Sequence, residues 1–194
     1  MQKIMFNDHY SLTQAVLEGR KTQTRRIAYQ KPFKYNCNCG FCTEGKDKGK
    51  LFINDGNEIV AKSHYKIGEV LSVAQRYEDI PMEPSIRTIL CTHPGWNNKM
   101  FVTAKTMPHK IMITNIRYER LQDISTDDCM KEGIFCSHIE GIHDDYSYDA
   151  TNDSFKKKWW YRTPIEAYKM LSCKLHLHWG SNPLVFVYDF VLVK

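Results

Sequence analysis

The ten residues from Glu18 to Ile27, EGRKTQTRRI, combine basic and hydroxyl side chains at a spacing that points to chemistry. One acid is followed by four basic residues within the next eight positions, and two threonines flank a glutamine. Such a stretch suits three roles, namely an ordinary solvated turn, an arm that grips phosphate, or part of an active site. The alternation from Lys21 onwards predicts a strand, on which Arg25 and Arg26 point to opposite faces. One arginine would then grip phosphate in a cleft while the other is solvated.

A second group of reactive side chains is the cysteine cluster CNCGFC, which contains Cys37, Cys39 and Cys42. Thiolates at this density can bind zinc, with Cys91 or His93 as a fourth ligand. A structural zinc site usually shows two Cys-x-x-Cys pairs, whereas here only Cys39 and Cys42 form one. The chain has seven cysteines, and an odd number suits reduced thiols better than a disulfide framework. We therefore expect a reduced loop, with neither a metal nor another cofactor.

Composition favours one compact domain. The chain has 194 residues, of which 42% are hydrophobic and 12% aromatic, so that it can build a core that a disordered chain lacks. We find no apolar run of the length that a membrane span needs, and the N-terminus lacks the layout of a signal peptide. These observations predict a cytoplasmic protein without a membrane partner.

Charge is distributed unevenly along the chain. The net charge is +5, but residues 1–50 hold ten Lys or Arg against four Asp or Glu, while the remaining residues hold 17 against 18. A local positive field favours a phosphate-bearing partner. A solvated lysine-rich loop at KDKGK accounts for part of the same excess.

Three segments carry helix signals. SLTQAVLEG shows a capping-box pattern in Ser11 and Gln14 and ends at Gly19, and STDDCMKEGI begins at a capping serine and ends at Gly133. The strongest is TPIEAYKMLSCKL, in which Thr163 is the cap and a proline follows it. The residues expected on its inner face are Ile165, Tyr168, Leu171 and Leu175.

The predicted strands are KIMF, KTQTRRI, VLSVA, MFVTA, HKIMITNIRYERL and NPLVFVYDFVLVK. Irregular stretches interrupt them near residues 31–62, 81–98 and 134–162, and we interpret these as insertions, the first as a loop or a β-ribbon. The elements together predict an α+β fold, with a largely antiparallel, barrel-like sheet and two or three helices at its rim.

Four ordered blocks resemble the ASCH domain of the PUA-like superfamily: EGRKTQTRR, YKIGEVLSV, LQDISTDDCMKEGI and WGSNPLVFVYDFVLV. Their order and spacing match over most of the chain, and the three insertions resemble those of phage and prophage forms. The resemblance implies a single PUA-like domain over residues 1–194, built as a mostly antiparallel β-barrel with flanking helices. It also implies a positively charged cleft that binds RNA or a modified nucleoside or nucleotide.

One branch of that family, the small bacterial N4-acetylcytidine amidohydrolases, implies a chemistry. That branch uses a Lys and a Thr of its GRKT-x-T block and a Glu of the short helix, which correspond here to Lys21, Thr24 and Glu132. The insertions and the extra arginine pair depart from its pattern, and they leave open whether the substrate is small or a polymer. The expected ligand-binding residues are Arg20, Arg25, Arg26, Gln75 and Tyr77.

Physical chemistry leaves two roles open for Lys21. A threonine hydroxyl becomes a nucleophile only when a base takes its proton, and a lysine is such a base only when neutral. Lowering the pKa of a lysine to near 7 costs roughly 4 kcal/mol, and burial and nearby arginines act in that direction. Contact with Glu132 acts in the opposite direction, and Lys21 would then hold an oxyanion or a phosphate while Glu132 serves as the base.

We therefore expect a protein that binds a nucleotide or nucleic acid, with amide hydrolysis on an acylated cytosine nucleoside as the enzymatic hypothesis. The alternative is a non-catalytic RNA- or DNA-binding module of phage origin. The candidates for stacking on a base are Tyr77, Trp96, Trp159, Trp160 and Trp179. Of these, Trp179 is expected in the core instead, together with Phe186.

Overall fold

The computed structural model describes residues 1–28, 39–41, 46, 50–53, 59–138, 146–149 and 161–193. Within these residues the chain forms a five-stranded sheet, a three-stranded sheet, a two-stranded sheet and four α-helices. The strands are β1 (Gln2–Ile4), β2 (Gln23–Ile27), β3 (Cys39–Phe41), β4 (Lys50–Ile53), β5 (Ile59–Lys62), β6 (Val70–Val73), β7 (Lys110–Arg120), β8 (Phe135–His138), β9 (Tyr146–Asp149) and β10 (Leu184–Val193). The helices are α1 (Leu12–Leu17), α2 (Pro84–Leu90), α3 (Thr126–Lys131) and α4 (Pro164–Lys174).

The five-stranded sheet has the order β1-β6-β7-β10-β2 and joins both ends of the chain. Only β1 and β6 pair in parallel, and the other three pairs are antiparallel. The inner strand β10, between β7 and β2, reads LVFVYDFVLV, and its apolar residues are buried on both faces for most of its length. This sheet confirms the predicted α+β class.

The predicted barrel is wrong, because the sheet stays open. A barrel needs its two edge strands to pair, but the edge strand β1 has only three residues, all paired to β6. Where the other edge approaches it, Arg26 on β2 donates a side-chain hydrogen bond of 2.8 Å to the carbonyl of Met5. Among the described residues, no backbone ladder joins β1 to β2.

The main core lies between the sheet and the helices α1, α3 and α4. Tyr168 of α4 and Tyr188 of β10 are among its largest fully buried side chains. The prediction of a core position is confirmed for Phe186, which is 2% exposed, while Trp179 packs against the core with part of its surface exposed. A separate, smaller core consists of Ala74, Tyr77, Ile80, Val102 and Met107.

Two of the three predicted helix N-caps are confirmed. Ser125 Oγ accepts from the backbone of Asp128 at 3.1 Å, and Thr163 Oγ1 accepts from that of Glu166 at 3.2 Å. The predicted box at α1 is wrong, since Ser11 has a φ of 53° and makes no side-chain cap bond. On α4 the predicted inner position of Ile165 is also wrong, because that side chain is 39% exposed.

All three irregular stretches contain regular elements, and in the third β8 and β9 pair as a two-stranded antiparallel sheet. The strands β3, β4 and β5 form an antiparallel sheet, so that the β-ribbon interpretation of the first insertion is confirmed where it is described. The second insertion contains α2, none of whose residues is buried. The predicted strand MFVTA is wrong, because Asn98 begins a 3₁₀ turn there: its Oδ1 accepts from the Met100 amide at 2.9 Å and its carbonyl from the Phe101 amide at 3.1 Å. The carbonyls of Met100 and Val102 accept from Lys3 Nζ at 2.5 and 2.9 Å.

Within the described ranges, every helix is too short or too polar to cross a membrane.

Candidate functional site

The candidate site lies on the face of the main sheet that α3 covers. The register of β2, β10 and β7 aligns Gln23 with Asp189 and Asp189 with Asn115. Two positions further along β2 it aligns Arg25 with Val187. Because alternate residues of a strand share a face, polar side chains of three neighbouring strands meet here.

Lys21 and Glu132 contact each other directly, although they lie 111 positions apart. Lys21 Nζ donates to Glu132 Oε2 at 2.5 Å and to the Glu132 backbone carbonyl at 2.7 Å. The side chains are only 2% and 4% exposed. Glu132 stands at the C-terminus of α3, where Gly133 with a φ of 99° ends the helix, and the Thr22 amide donates to the Lys131 carbonyl at 2.9 Å. The end of α3 is thereby fixed beside the start of β2.

Arg25 is the centre of the ion-pair network. Its side chain is fully buried, and Nη1 donates to Glu132 Oε1 at 3.0 Å and to Gln23 Oε1 at 2.6 Å. Nε and Nη2 both donate to Glu119 Oε1, at 2.9 and 2.6 Å, and Nη2 also donates to Asp128 Oδ2 at 3.1 Å. All three guanidinium nitrogens are therefore engaged inside the protein. The structure thus places Arg25 in a position to hold carboxylates, with no donor group facing solvent.

The network extends to β7 and β10 and is balanced in charge. Arg117 donates to Asp128 Oδ2 at 2.5 Å and to Asp189 Oδ2 at 3.0 Å, and Lys131 Nζ lies 3.5 Å from Asp128 Oδ1. Four cations thus face four carboxylates: Lys21, Arg25, Arg117 and Lys131 against Glu119, Asp128, Glu132 and Asp189.

Sequence reasoning missed most of this network. Two signals could have found it. The first is the alternation of Asn115, Arg117 and Glu119 along a strand, which places three polar side chains on one face. The second is the four-residue spacing of Asp128 and Glu132, which places both carboxylates on one face of α3.

Electrostatics differ between the two buried cations. Burial lowers the pKa of Lys21, and the opposing attraction of Glu132 does not cancel that effect. Burial acts in the same direction on Arg25, but the charges of Glu132 and Glu119 outweigh it, and the pKa of Arg25 is raised. Of the two buried cations, Lys21 is therefore the one that loses its proton more easily than in water.

Thr24 is buried but lies on the other face of β2. It stands between Gln23 and Arg25, so that strand alternation turns its side chain away from theirs. In the register it faces Tyr188, whose hydroxyl accepts from Ser63 Oγ and from the His64 backbone at 3.1 Å each. Of the three expected catalytic residues, Lys21 and Glu132 are thus in contact, whereas Thr24 lies on the opposite face of β2.

Arg20 and Arg26 lie on either side of the segment from Lys21 to Arg25 in the sequence. Arg26 is exposed and donates to the Met5 carbonyl, as described for the sheet edge. Arg20 Nε donates to Glu18 Oε2 at 2.7 Å, and its guanidinium carbon lies 5.8 Å from the centre of the Phe135 ring. Of the two arginines that were expected to diverge, Arg25 is thus the buried one and Arg26 the exposed one.

Gln75 and Tyr77 belong to the neighbourhood of the smaller core. Gln75 is 8% exposed and its Oε1 lies 2.7 Å from His109 Nδ1. Tyr77 is 3% exposed, and its hydroxyl accepts from the Thr103 backbone at 3.0 Å. A ring this deeply buried has no free face on which a base could stack.

The cysteine cluster can be placed only in part. Cys37 and Cys42 lie outside the described residues, and Cys39 is described only as a position on β3. In the part of the chain that the structure describes, no group of three His, Cys, Asp or Glu residues is arranged to hold a metal ion. Cys129 of α3 is fully buried, and burial raises the pKa of its thiol to about 12.

The chain matches no protein-family model, no curated protein and no solved structure. The resemblance to ASCH domains therefore stays a prediction, and the function is inferred from the geometry of the site itself.

Proposed function

We propose that the protein binds a nucleoside or nucleotide, RNA included, and hydrolyses the amide of an acylated cytosine. The observation that carries this proposal is the buried contact of 2.5 Å between Lys21 Nζ and Glu132 Oε2. A proton acceptor works best when its pKa lies near the working pH, and burial moves the pKa of Lys21 in that direction. Perturbed ionisable groups of this kind concentrate at functional sites.

In this mechanism Lys21 and Glu132 move the proton. Neutral Lys21 takes a proton from water as the water oxygen bonds to the acyl carbon, and it returns that proton to the amine nitrogen as the carbon–nitrogen bond breaks. The products are the free amine and a carboxylic acid, which loses its remaining proton to solvent. Glu132 orients the ammonium formed in between, and Arg25 holds the second oxygen of Glu132 at 3.0 Å. Water serves as the nucleophile in preference to Thr24, because Thr24 lies on the opposite face of β2.

A specific observation favours a second candidate, the non-catalytic nucleic-acid-binding module. The network around Arg25 is charge-balanced, and structural ion-pair networks also perturb pKa values. In that case the cluster serves to hold α3 on the sheet. Nucleic acid would then bind to exposed cations such as Arg26.

The two candidates predict different results with N4-acetylcytidine. For the enzyme, we expect the wild type to release acetate and both Lys21→Met and Glu132→Gln to lose at least about 100-fold in rate, the usual contribution of a general acid or base. Lys105→Met and Glu166→Gln remove the same charges at exposed positions and serve as controls that retain the rate. The measurement is acetate release under initial-rate conditions, with circular dichroism as a check of folding.

A double variant separates catalysis from folding. Loss of one partner of a buried ion pair costs about 3–5 kcal/mol, whereas replacement of both by apolar residues is often neutral. Lys21→Met combined with Glu132→Leu leaves Arg25 paired with Glu119 and Asp128, and is therefore expected to fold and to remain inactive. Folded variants at Lys21 or Glu132 that keep the wild-type rate would refute catalysis by this pair. No turnover by the wild type, together with oligonucleotide binding that weakens with salt, would favour the module.

A further inference from the structure

The guanidinium of Arg20 carries unused hydrogen-bond donors in a buried position. Its Nε donates to Glu18 Oε2 at 2.7 Å. The other two nitrogens, Nη1 and Nη2, are buried and have no hydrogen-bond partner within the described part of the protein. Four N–H groups of a charged side chain therefore lack an acceptor.

Among the described residues, the other recorded contact of this guanidinium is with an aromatic ring. The guanidinium carbon lies 5.8 Å from the centre of the Phe135 ring, a distance at which the ring face attracts the cation. The ring offers no acceptor to N–H groups in the guanidinium plane, however. Buried polar groups are almost always bonded, and buried charged groups are costly when they are not. An acceptor from outside the chain would remove this cost.

Arg20 also lies beside the proposed site. Lys21 is its neighbour in the chain and contacts Glu132, while Arg20 contacts Phe135 three positions further on. The Lys21 side chain packs against Gly133, since a Cβ added at this glycine would lie 3.4 Å from the Cβ of Lys21. The two segments 20–21 and 132–135 thus run side by side. The unpartnered Nη1 and Nη2 of Arg20 therefore belong to the segment next to the buried Lys21–Glu132 pair.

We propose that Nη1 and Nη2 of Arg20 form a subsite for a phosphate group, and that the ligand is therefore a nucleotide or RNA in place of a free nucleoside. Paired N–H groups of a planar guanidinium match two oxygens of a phosphate. The first fifty residues also carry a charge of +6, which favours a doubly charged anion. The nucleotide half of this inference rests on the proposed function, whereas the phosphate subsite stands on Arg20.

Inorganic phosphate is the first probe. We expect phosphate to raise the melting temperature of the wild type, and we expect this shift to disappear in Arg20→Gln. Arg20→Lys keeps the charge but lacks the planar fork, so that it should retain only part of the shift. Arg87→Gln, an exposed arginine on α2, is the matched control and should keep all of it. A wild type that gains nothing from phosphate, or an Arg20→Gln variant that gains as much, would overturn the subsite.

Nucleotides provide the second probe. Titration calorimetry should show cytidine 5′-monophosphate binding at least about tenfold tighter than cytidine to the wild type, which is about 1.4 kcal/mol. In Arg20→Gln that ratio should fall to about one. If phosphate binds through Arg20 but N4-acetylcytidine and its 5′-phosphate are not hydrolysed, the proposed reaction fails and the subsite stands. If both are hydrolysed equally well by wild type and Arg20→Gln, the subsite fails and the reaction stands.

Discussion

Glu132 holds the two buried cations of the site in place. Its two carboxylate oxygens accept separately, Oε2 from Lys21 and Oε1 from Arg25, so that its loss would leave both cations without that acceptor. Such an arrangement contributes less to stability than its short distances imply, since removing each ion from water is itself costly. Its main physical effect is to determine where protons and charge can reside. The Lys21–Glu132 pair is therefore better evidence for catalysis than for a large contribution to the free energy of unfolding.

Tyr168 offers a test of the same neighbourhood that does not depend on any ligand. Its ring packs 5.8 Å from the guanidinium carbon of Arg25, and its buried hydroxyl has no partner among the described residues. We expect Tyr168→Phe to leave stability unchanged or to raise it by about 1–3 kcal/mol, because it removes an unsatisfied polar atom. Urea unfolding measures the change.

Tyr188→Phe is the matched control for that experiment. The Tyr188 hydroxyl accepts from Ser63 and His64 at 3.1 Å each, so its removal should cost about 0.5–1.5 kcal/mol per bond. A Tyr168→Phe variant that is destabilised as much as the control would show that its hydroxyl is bonded in solution.

At the scale of elements, the second insertion is more ordered than its sequence indicates. The loop after α2 packs on Tyr77, and the backbone amide of Tyr77 donates to the Gly95 carbonyl at 3.0 Å. A Cβ at Gly95 would lie 2.8 Å from Cε2 of the Tyr77 ring and 3.0 Å from His93 Nδ1. The loop can therefore approach the smaller core only because residue 95 has no side chain.

A substitution at Gly95 tests whether this loop packs on Tyr77. We expect Gly95→Ala to destabilise the protein by about 1–3 kcal/mol, because the ring and the loop must move apart. Gly180→Ala is the control, since a Cβ there meets nothing within 4 Å, and its effect should stay within about 0.5 kcal/mol. Thermal and urea unfolding measure both. Equal stabilities of the two variants would show that the loop does not pack on Tyr77 in solution.

At the scale of the whole molecule, the net charge of +5 resides outside the ion-pair network around Arg25. The network contributes no net charge, because its four cations match four carboxylates. A surplus outside it is available to attract an anionic partner, and such attraction weakens with salt. The buried charges instead make stability depend on pH.

Acid unfolding should depend on Asp128. Burial alone would raise the pKa of this carboxyl, but Arg117 and Arg25 outweigh burial and hold it below its ordinary value of 3.8. The unfolded chain then binds the proton first as the pH falls, so the stabilisation is complete well above pH 3.8 and is lost as the pH falls through the folded pKa. We expect the urea midpoint to be level between about pH 7 and 5 and to fall below about pH 4.

Two neighbouring aspartates provide the comparison. Asp128→Asn should be less stable than the wild type at neutral pH and should lose less stability on acidification. Asp127→Asn, at the adjacent exposed position, should retain the pH dependence of the wild type. Identical acid profiles for the two variants would contradict a special role for Asp128.

Local patterns predicted much of the fold and little of the site. The long strands β7 and β10 follow their apolar periodicity, and the caps of α3 and α4 follow from Ser125 and Thr163. The cap of α1 failed because Ser11 adopts a left-handed backbone after the preceding 3₁₀ turn. The predicted strand MFVTA is wrong because Asn98 caps a 3₁₀ turn at its start, and its carbonyls accept from Lys3, almost a hundred positions away.

The sequence by itself determined the α+β class, the capped helices and the buried final strand, because these depend on interactions between residues close together in the chain. Only the tertiary structure decided that the sheet stays open, that Arg25 is enclosed by carboxylates, and that Thr24 faces away from them. Those features depend on strand register and on contacts across more than a hundred positions, such as that of Lys21 with Glu132. No local preference of either residue specifies its distant partner.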